Sequence, residues 1–452
     1  MEDNEGARAR PSVSFVTLGC KVNQVESEAL AQLFRTAGYE VVESAGRADV
    51  VVVNTCTVTN TGGSKSRQVI RRMIKAHPDS FVVVMGCYAQ TAPGEVLKIE
   101  GVDLVIGTQD RNRILDLIEE VRQEREDPAS NRPRRPYSAV RDIWQVKEFE
   151  ELPMLEGESR TRAMLKIQEG CNQFCTYCII PYARGPVRSR LPQNALAEAE
   201  KLVQAGYKEI VLTGIHTGAY GQDLDGNWNL ARLVRELVQI KGLKRLRLSS
   251  IEPMEFTPAL LESIFSSPVV CPHLHIPLQS GSDAVLARMQ RPYTLGEYKE
   301  LLDKLFQHIP DVAVTTDVIV GFPGESERDH REALAFVESC GFANIHVFPY
   351  SRREGTPAAG YPDQIPNRVK EERVKAMLTV AKASHETYVK RFLGREAEVL
   401  IERVDEQGIA SGHTGNYLDV YLPPRANGQS WRSGELVQII LDRDHLKEEI
   451  NS

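Results

Sequence analysis

Short apolar runs alternate with amphipathic stretches through the first 124 residues. The runs are VSFVT (13 to 17), DVVVVN (49 to 54), FVVVMG (81 to 86) and VDLVIG (102 to 107). Between them, NQVESEALAQLFRTAG and a basic stretch from about Gly63 carry helical spacing. Valine runs with almost no polar interruption are expected of strands covered on both faces, so the pattern predicts a parallel, doubly wound sheet. Residues 125 to 158 are charged, proline-bearing and without a clean period, which predicts a linker.

From Arg162 the alternation restarts with RAMLKIQ, KEIVLTG, KRLRLSS, HLHIPL, VAVTTDVIVG and ANIHVFPY. Six strands with crossover helices predict an incomplete, six-fold relative of the eight-fold βα barrel, with its chemistry at the C-terminal strand ends. A long helical stretch from roughly 367 to 392 leads into short strands broken by Gly, Asn and Pro, which predict a small all-β barrel. The expected fold class is therefore α/β, with domains at 1–124, 159–388 and 389–452 and the linker at 125–158.

Composition narrows the class. At 452 residues, with 42% hydrophobic and 26% charged positions, the chain has the make-up of a multidomain globular protein. The N-terminal MEDNEGARARP lacks the apolar stretch of a signal peptide, and no run of about 18 apolar residues occurs, so a cytoplasmic protein without a membrane span is expected. Eight cysteines in such a chain point to reduced thiols serving metal or catalysis. A net charge of −7 does not favour bulk nucleic-acid binding. Locally, however, SKSRQVIRRMIKAH (64 to 77) carries Lys65, Arg67, Arg71, Arg72 and Lys75 without an acid. A solvated helix face is the plain alternative for that run.

EGCNQFCTYCIIP places Cys171, Cys175 and Cys178 within eight positions, with no fourth cysteine or histidine nearby. Structural zinc takes four closed ligands, whereas three thiolates suit a [4Fe–4S] cluster with one iron open to an exogenous ligand. A zinc knuckle with a distant fourth ligand and plain buried cysteines remain as alternatives. The CxxxCxxC spacing, with Tyr177 before the last cysteine, resembles the radical S-adenosylmethionine (SAM) superfamily. There the open iron chelates SAM, and one electron cleaves it to a 5′-deoxyadenosyl radical. LTGIHTG, SSIEP, HIPLQSGSD, DVIVGFPGE and FPYSRREGTPA resemble that superfamily's cofactor pocket. The resemblance implies SAM contacts at Tyr177, Thr213, Gly214, Ser250, Glu252, Gln279, Asp317 and Ile319.

Three more cysteines each follow a predicted strand: Cys20 ends VTLGC, Cys56 ends VVVNTC and Cys87 ends VVVMGC. Singly, such a cysteine reads as a small buried hydrophobe. All C-terminal strand ends of a parallel sheet share one edge, however, so three thiols distant in sequence are expected to converge there. LGCKVNQVESEAL, NTCTVT and GCYAQ resemble the N-terminal domain of the radical SAM methylthiotransferases, and the order of all three domains matches that family, ending in a TRAM-type barrel. The resemblance implies that Cys20, Cys56 and Cys87 hold an auxiliary [4Fe–4S] cluster carrying sulfur, with Asn23 and Gln24 in support. Cys271 and Cys340 fit neither set and are expected in the core.

Within that family, LGCKVNQ and SGHTGNYLDV are similar to the branch acting on tRNA that bears N6-threonylcarbamoyladenosine. The resemblance implies conversion of that base, 3′ of the anticodon, to its 2-methylthio form, using two SAM-dependent steps and two [4Fe–4S] clusters. Isopentenyladenosine tRNA and a ribosomal-protein aspartate are the alternative targets, and a zinc-stabilised RNA-binding protein is the non-enzymatic one. Expected partners are the tRNA and a flavodoxin- or ferredoxin-like electron donor, with the chain acting as a monomer. From Lys390 onward, 8 basic residues face 11 acidic ones, so RNA contact there is expected from His413, Asn416 and Tyr417 rather than from bulk charge. Lys65, Arg67, Arg71 and Arg72 are the expected phosphate contacts. Arg184, Arg188 and Arg190, after the cluster loop, are expected to meet phosphate, a cofactor carboxylate or surface acids.

Overall fold

The computed structural model describes residues 10–43, 46–57, 60–126, 135–152, 161–425 and 428–446, without the side chains of 60 and 61. The chain forms two compact units. One lies within 1–156 together with 169–172 and 179–188; the other lies within 157–168, 173–178 and 189–452.

In the first unit, strands β1 (Ser12–Thr17), β2 (Glu40–Val42), β3 (Val50–Thr55), β4 (Phe81–Gly86), β5 (Leu104–Val105) and β6 (Tyr137–Ser138) form a parallel sheet in the order β2-β1-β3-β4-β5-β6. The valine runs explain the layering. Val50 and Val52 of β3 enter one core with Leu30, Phe34 and Met85, while Val51 and Val53 enter the opposite core with Ile70, Met73 and Tyr88. Full burial of such a side chain contributes about 1.5–3 kcal/mol, so a strand covered on both faces draws stability from every position. Helices α1 (Lys21–Thr36) and α2 (Asn60–Ala76) are the crossovers from β1 and β3, and the short α3 (Cys87–Thr91) follows β4 directly.

Part of the segment expected to be a linker belongs to this sheet. Tyr137–Ser138 pairs with Leu104–Val105, Ile143 is buried, and Glu150 is buried against Arg111. Its low hydrophobic content hid it, because an edge strand of two residues needs only backbone pairing.

The second unit contains six parallel strands: β7 (Arg162–Lys166), β8 (Glu209–Thr213), β9 (Arg245–Leu248), β10 (His273–His275), β11 (Ala313–Val320) and β12 (Asn344–Pro349). They form two three-stranded sheets, β9-β8-β7 and β10-β11-β12, which approach through a Leu246–Val270 bridge. This is the incomplete βα barrel, its core drawn from alternate strand positions such as Leu165, Ile210, Leu246, Val314 and Val318. The helix Asn367–Lys390 leads to a four-stranded antiparallel sheet of the TRAM type, whose first strand is Glu396–Val404. That sheet docks on the barrel through buried Arg247, which grips Glu209 with two nitrogens, donates to the Gly415 carbonyl at 3.0 Å and lies 4.6 Å from the centre of the Tyr417 ring. Among the described residues, no helix is long and apolar enough to cross a membrane.

Candidate active site

The order β2-β1-β3-β4-β5 reverses direction between β1 and β3, and a crevice at the C-terminal strand ends is the ordinary ligand position of such a sheet. Cys20 lies three residues beyond β1, Cys56 directly after β3 and Cys87 directly after β4. The parallel register, Thr17 beside Asn54 and Thr55 beside Gly86, brings the three turns together. Cys20 occupies the N-cap of α1, where the first backbone N–H groups of a 16-residue helix favour negative charge. Cys56 and Cys87 are buried, and Cys20 is exposed.

The thiols feel one another. Burial pushes the Cys87 thiol up to about 11; Arg184 opposes that rise, while Cys20 and Cys56 add to it. The backbone is shaped for close approach. Gly19, at φ +103°, lies where a Cβ would stand 2.7 Å from Cys56 Sγ. All eight cysteines are free thiols. Among the described residues, one set of three His, Cys, Asp or Glu ligand atoms lies within 4.8 Å of one another, and it is His275, Asp317 and His346. Three thiols drawn from three turns match the donor set of a [4Fe–4S] cluster with one open iron better than the closed four-ligand set of structural zinc.

Behind the thiols lies a buried ionic cluster. Arg184 is fully buried; its Nε donates to Cys87 Sγ at 3.2 Å, Nη1 to Glu26 Oε1 at 2.6 Å and Glu169 Oε1 at 2.9 Å, and Nη2 to Asn23 Oδ1 at 2.5 Å. Arg111 pairs with Glu26 at 2.6 Å and Glu150 at 2.7 Å. Burial opposes the Arg184 charge, but Cys87, Glu26 and Glu169 outweigh it and hold the guanidinium protonated. Asn23 donates in turn to the carbonyls of Leu18 and Thr55, whereas Gln24 is exposed. The three arginines after the cluster loop divide. Arg184 and Arg188 are wholly buried and face no incoming phosphate, whereas Arg190 pairs at 2.6 Å with Glu198, a partly exposed helix acid of the kind expected. The sequence singles out Arg184 but not its pairing with Cys87, Glu26 and Asn23, which lie up to 161 positions away.

Of the contiguous cysteines, Cys171 falls in the first unit and donates its N–H to the Gly185 carbonyl at 3.0 Å. Cys175 and Cys178 fall in the second, joined by a turn in which Cys178 N–H meets the Cys175 carbonyl at 2.9 Å. Thr176 anchors that turn on the Met289 and Arg288 carbonyls. Arg291 donates to Cys175 Sγ at 3.3 Å and pairs with Glu252, so the donor set again couples thiol to guanidinium and suits an anionic cluster.

Of the residues expected to hold SAM, Thr213, Gly214, Ser250, Glu252 and Gln279 lie at or just beyond strand ends of the second unit, Asp317 and Ile319 lie within β11, and Tyr177 lies in the cysteine loop. Thr213 closes β8, and Gly214 lies where a Cβ would meet Gln168 at 3.1 Å. Ser250 accepts Thr217 Oγ1 on its carbonyl at 2.6 Å, and Glu252 is engaged with Arg291. Gln279, at φ +65°, exchanges backbone hydrogen bonds with Asp317 and Ile319 at 2.8 Å. Tyr177 and Ile319 pack on one small cluster with Phe322 and Tyr350, and burial raises the Tyr177 phenol well above its ordinary value. The Asp317 carboxylate stands 3.3 Å from His275 Nε2. His216 pairs with Glu255 at 2.6 Å, and Glu325 with Arg373 at 2.8 Å, so both are satisfied strand-end groups.

The expected RNA contacts divide. Lys65, Arg71, Arg72 and Lys75 are exposed on α2, whereas Arg67 is tied to Tyr88 at 2.6 Å and Glu95 at 2.7 Å. His413, Asn416 and Tyr417 are turned to intrachain partners. His413 bridges Glu402 and Asp419, Asn416 donates to the Tyr388 hydroxyl at 2.9 Å, and Tyr417 packs on Arg247 and His273. Cys271 and Cys340 are buried, and burial pushes each thiol up to about 12.

Residues 12–107 match the family model described as uncharacterized protein family UPF0004, and residues 165–337 match that of the radical SAM superfamily. The chain is 48% identical to a threonylcarbamoyladenosine tRNA methylthiotransferase of Bacillus subtilis, covering 96% of this chain and 99% of that protein. It is 39% identical to the enzyme of the same name from Aquifex aeolicus, covering 90% and 96%. To a tRNA-2-methylthio-N6-dimethylallyladenosine synthase of Moorella thermoacetica it is 37% identical, covering 96% and 97%. In fold it is similar to a radical SAM methyltransferase, TsrM, from Kitasatospora setae, with a TM-score of 0.58, 15% identity and 77% of each chain covered.

Proposed function

Because this chain belongs to the radical SAM methylthiotransferase family, we propose that it methylthiolates tRNA, converting N6-threonylcarbamoyladenosine beside the anticodon to 2-methylthio-N6-threonylcarbamoyladenosine. The observation that carries this reading is the meeting of Cys20, Cys56 and Cys87 at the β1/β3 switch point, in a chain that also holds the CxxxCxxC loop.

Cys171, Cys175 and Cys178 are assigned to the cluster that binds SAM, and Cys20, Cys56 and Cys87 to the auxiliary one. When bound, these groups supply the one-electron chemistry and the sulfur needed at a C–H bond unactivated toward ordinary acid–base or nucleophilic attack. The chain's own residues bind and orient. Tyr177 and Ile319 offer an apolar wall, and Gln279 and Asp317 offer polar groups to a ribose. Glu252 fixes Arg291, which in turn holds a positive charge against the Cys175 sulfur. Thr213, Gly214 and Ser250 leave room for a charged amino acid at the strand ends. Lys65, Arg71 and Arg72 are assigned to tRNA phosphates; Arg67, His413, Asn416 and Tyr417 support the surfaces on which they stand. Residues 1–124 are assigned to sulfur delivery, 159–388 to SAM and 389–452 to the RNA-facing module. The electron donor is assigned to the flavodoxin or ferredoxin type, the chain acts as a monomer, and its place is the cytoplasm, with its substrate.

Mass spectrometry of tRNA nucleosides from a strain lacking the gene tests the reading. The expected result is loss of 2-methylthio-N6-threonylcarbamoyladenosine with accumulation of the unthiolated base. Persistence of that nucleoside overturns the assignment, and loss of the isopentenyl counterpart instead moves the substrate to the other branch.

A further inference from the structure

Arg184 is linked to all three cysteine-bearing turns, to one directly and to two through Asn23. It reaches Cys87 directly through Nε at 3.2 Å. It reaches the other two through Asn23, whose Oδ1 accepts Arg184 Nη2 at 2.5 Å while its amide donates to Leu18 at 2.8 Å and Thr55 at 3.1 Å, the carbonyls leading into Cys20 and Cys56. Its remaining N–H groups are fixed on Glu26 and Glu169. A guanidinium held this way has one orientation, and its charge sits against the thiolate side of the crevice.

Burial of such a cluster is not explained by stability. Desolvating the ions costs several kcal/mol each, and well-packed apolar residues of similar volume often do as well or better. An N–H donor to a ligand sulfur and a fixed nearby charge are, however, two of the levers by which a protein sets the potential of an iron–sulfur cluster, since both favour the reduced, more negative state.

We propose that Arg184 is the positioning and potential-setting residue of the Cys20/Cys56/Cys87 centre, aligning the three turns through Cys87 and Asn23 and raising the reduction potential of the cluster they hold. Glu26 and Glu169 set how much of that charge the cluster feels: removing an acid exposes the cluster to more positive charge, and removing Arg184 to less. The inference rests on the ligand assignment made under Proposed function.

The test uses the full chain with Cys171, Cys175 and Cys178 replaced by Ala, reconstituted anaerobically, so that one centre remains. Iron content and the electron paramagnetic resonance signal of this parent test the ligand assignment itself; no cluster there overturns both readings. With the cluster present, potentiometric titration compares the parent with Arg184→Gln, Arg184→Lys and Glu169→Gln. Arg184→Gln is expected to weaken reduction at least tenfold, about 59 mV for a one-electron couple. Arg184→Lys keeps the charge and is expected to fall between. Glu169→Gln is expected to shift the potential upward. A loosened fold moves Arg184→Gln and Glu169→Gln in the same direction, so shifts of one sign, or no shift with iron retained, overturn the proposal. If Arg184→Gln loses its cluster, Glu169→Gln decides: an upward shift supports the proposal and an unchanged potential overturns it.

Discussion

Cys87 and Cys175 each receive a guanidinium N–H on sulfur, from Arg184 at 3.2 Å and Arg291 at 3.3 Å, yet the triads they belong to are built differently. Cys171, Cys175 and Cys178 are set by eight consecutive residues, and Glu252, which backs Arg291, is partly open to solvent. Cys20, Cys56 and Cys87 are set by the register of three strands, and Glu26, which backs Arg184, is wholly buried. A loop triad tolerates loosening around it because the chain itself carries the spacing. A triad gathered from strand ends has no such reserve, and its accuracy is borrowed from the sheet and from the ionic cluster beneath.

The sharpest way to break the comparison is to remove each triad. Alanine at Cys171, Cys175 and Cys178 is expected to abolish both SAM cleavage and methylthiolation, by at least ~10³-fold. Alanine at Cys20, Cys56 and Cys87 is expected to abolish methylthiolation as completely while 5′-deoxyadenosine is still released. Methylthiolated tRNA from the second variant would end the division of labour.

The next largest effect separates the two acids. Glu26→Ala leaves Arg111 and Arg184 under-compensated in the interior and is expected to destabilise the chain by about 3–5 kcal/mol in urea unfolding. Glu252→Ala removes an acid that is itself partly solvated and leaves Arg291 its contacts with Tyr293 and Cys175, and is expected to cost about 1–2 kcal/mol. Equal costs would show that burial does not distinguish the centres.

Gly19→Ala acts on one centre alone. It forces a side chain at φ +103° toward Cys56 and is expected to cost about 1–3 kcal/mol, with iron lost from the strand-end triad and SAM cleavage retained. Loss of both clusters in the iron assay would contradict this.

The effect with least bearing on the two centres lies in the terminal sheet, where the His413, Glu402 and Asp419 ion cluster touches no cysteine. Burial opposes charge on His413, but Asp419 and Glu402 overcome it and lift the imidazole to about 9. A raised folded value stabilises fully below the ordinary histidine range and is lost as pH rises through about 9. Thermal stability is therefore expected to fall between pH 6.5 and 9.5 by about 2 kcal/mol, and His413→Gln to flatten that slope. An unchanged slope in the variant would remove His413 as its source.

The primary structure carried the valine runs, the helix at 367–390, the loop cysteines and the position of three further cysteines at strand ends, because each is written in consecutive residues or in the two- and 3.6-residue periods of backbone geometry. It did not carry the pairing of Arg67 with Tyr88 and Glu95, the inward turn of Tyr417 onto Arg247, or the two-residue strand at Tyr137. Nor did it carry the union of Arg184 with Cys87, Glu26 and Asn23. That contact exists only once strands stack in the order 2-1-3-4-5 and the chain re-enters the first unit at 179–188. Periodicity specifies which face of an element is apolar. The partner of a buried charge is specified by the three-dimensional neighbourhood in which desolvation must be balanced, and no local pattern of residues encodes that neighbourhood.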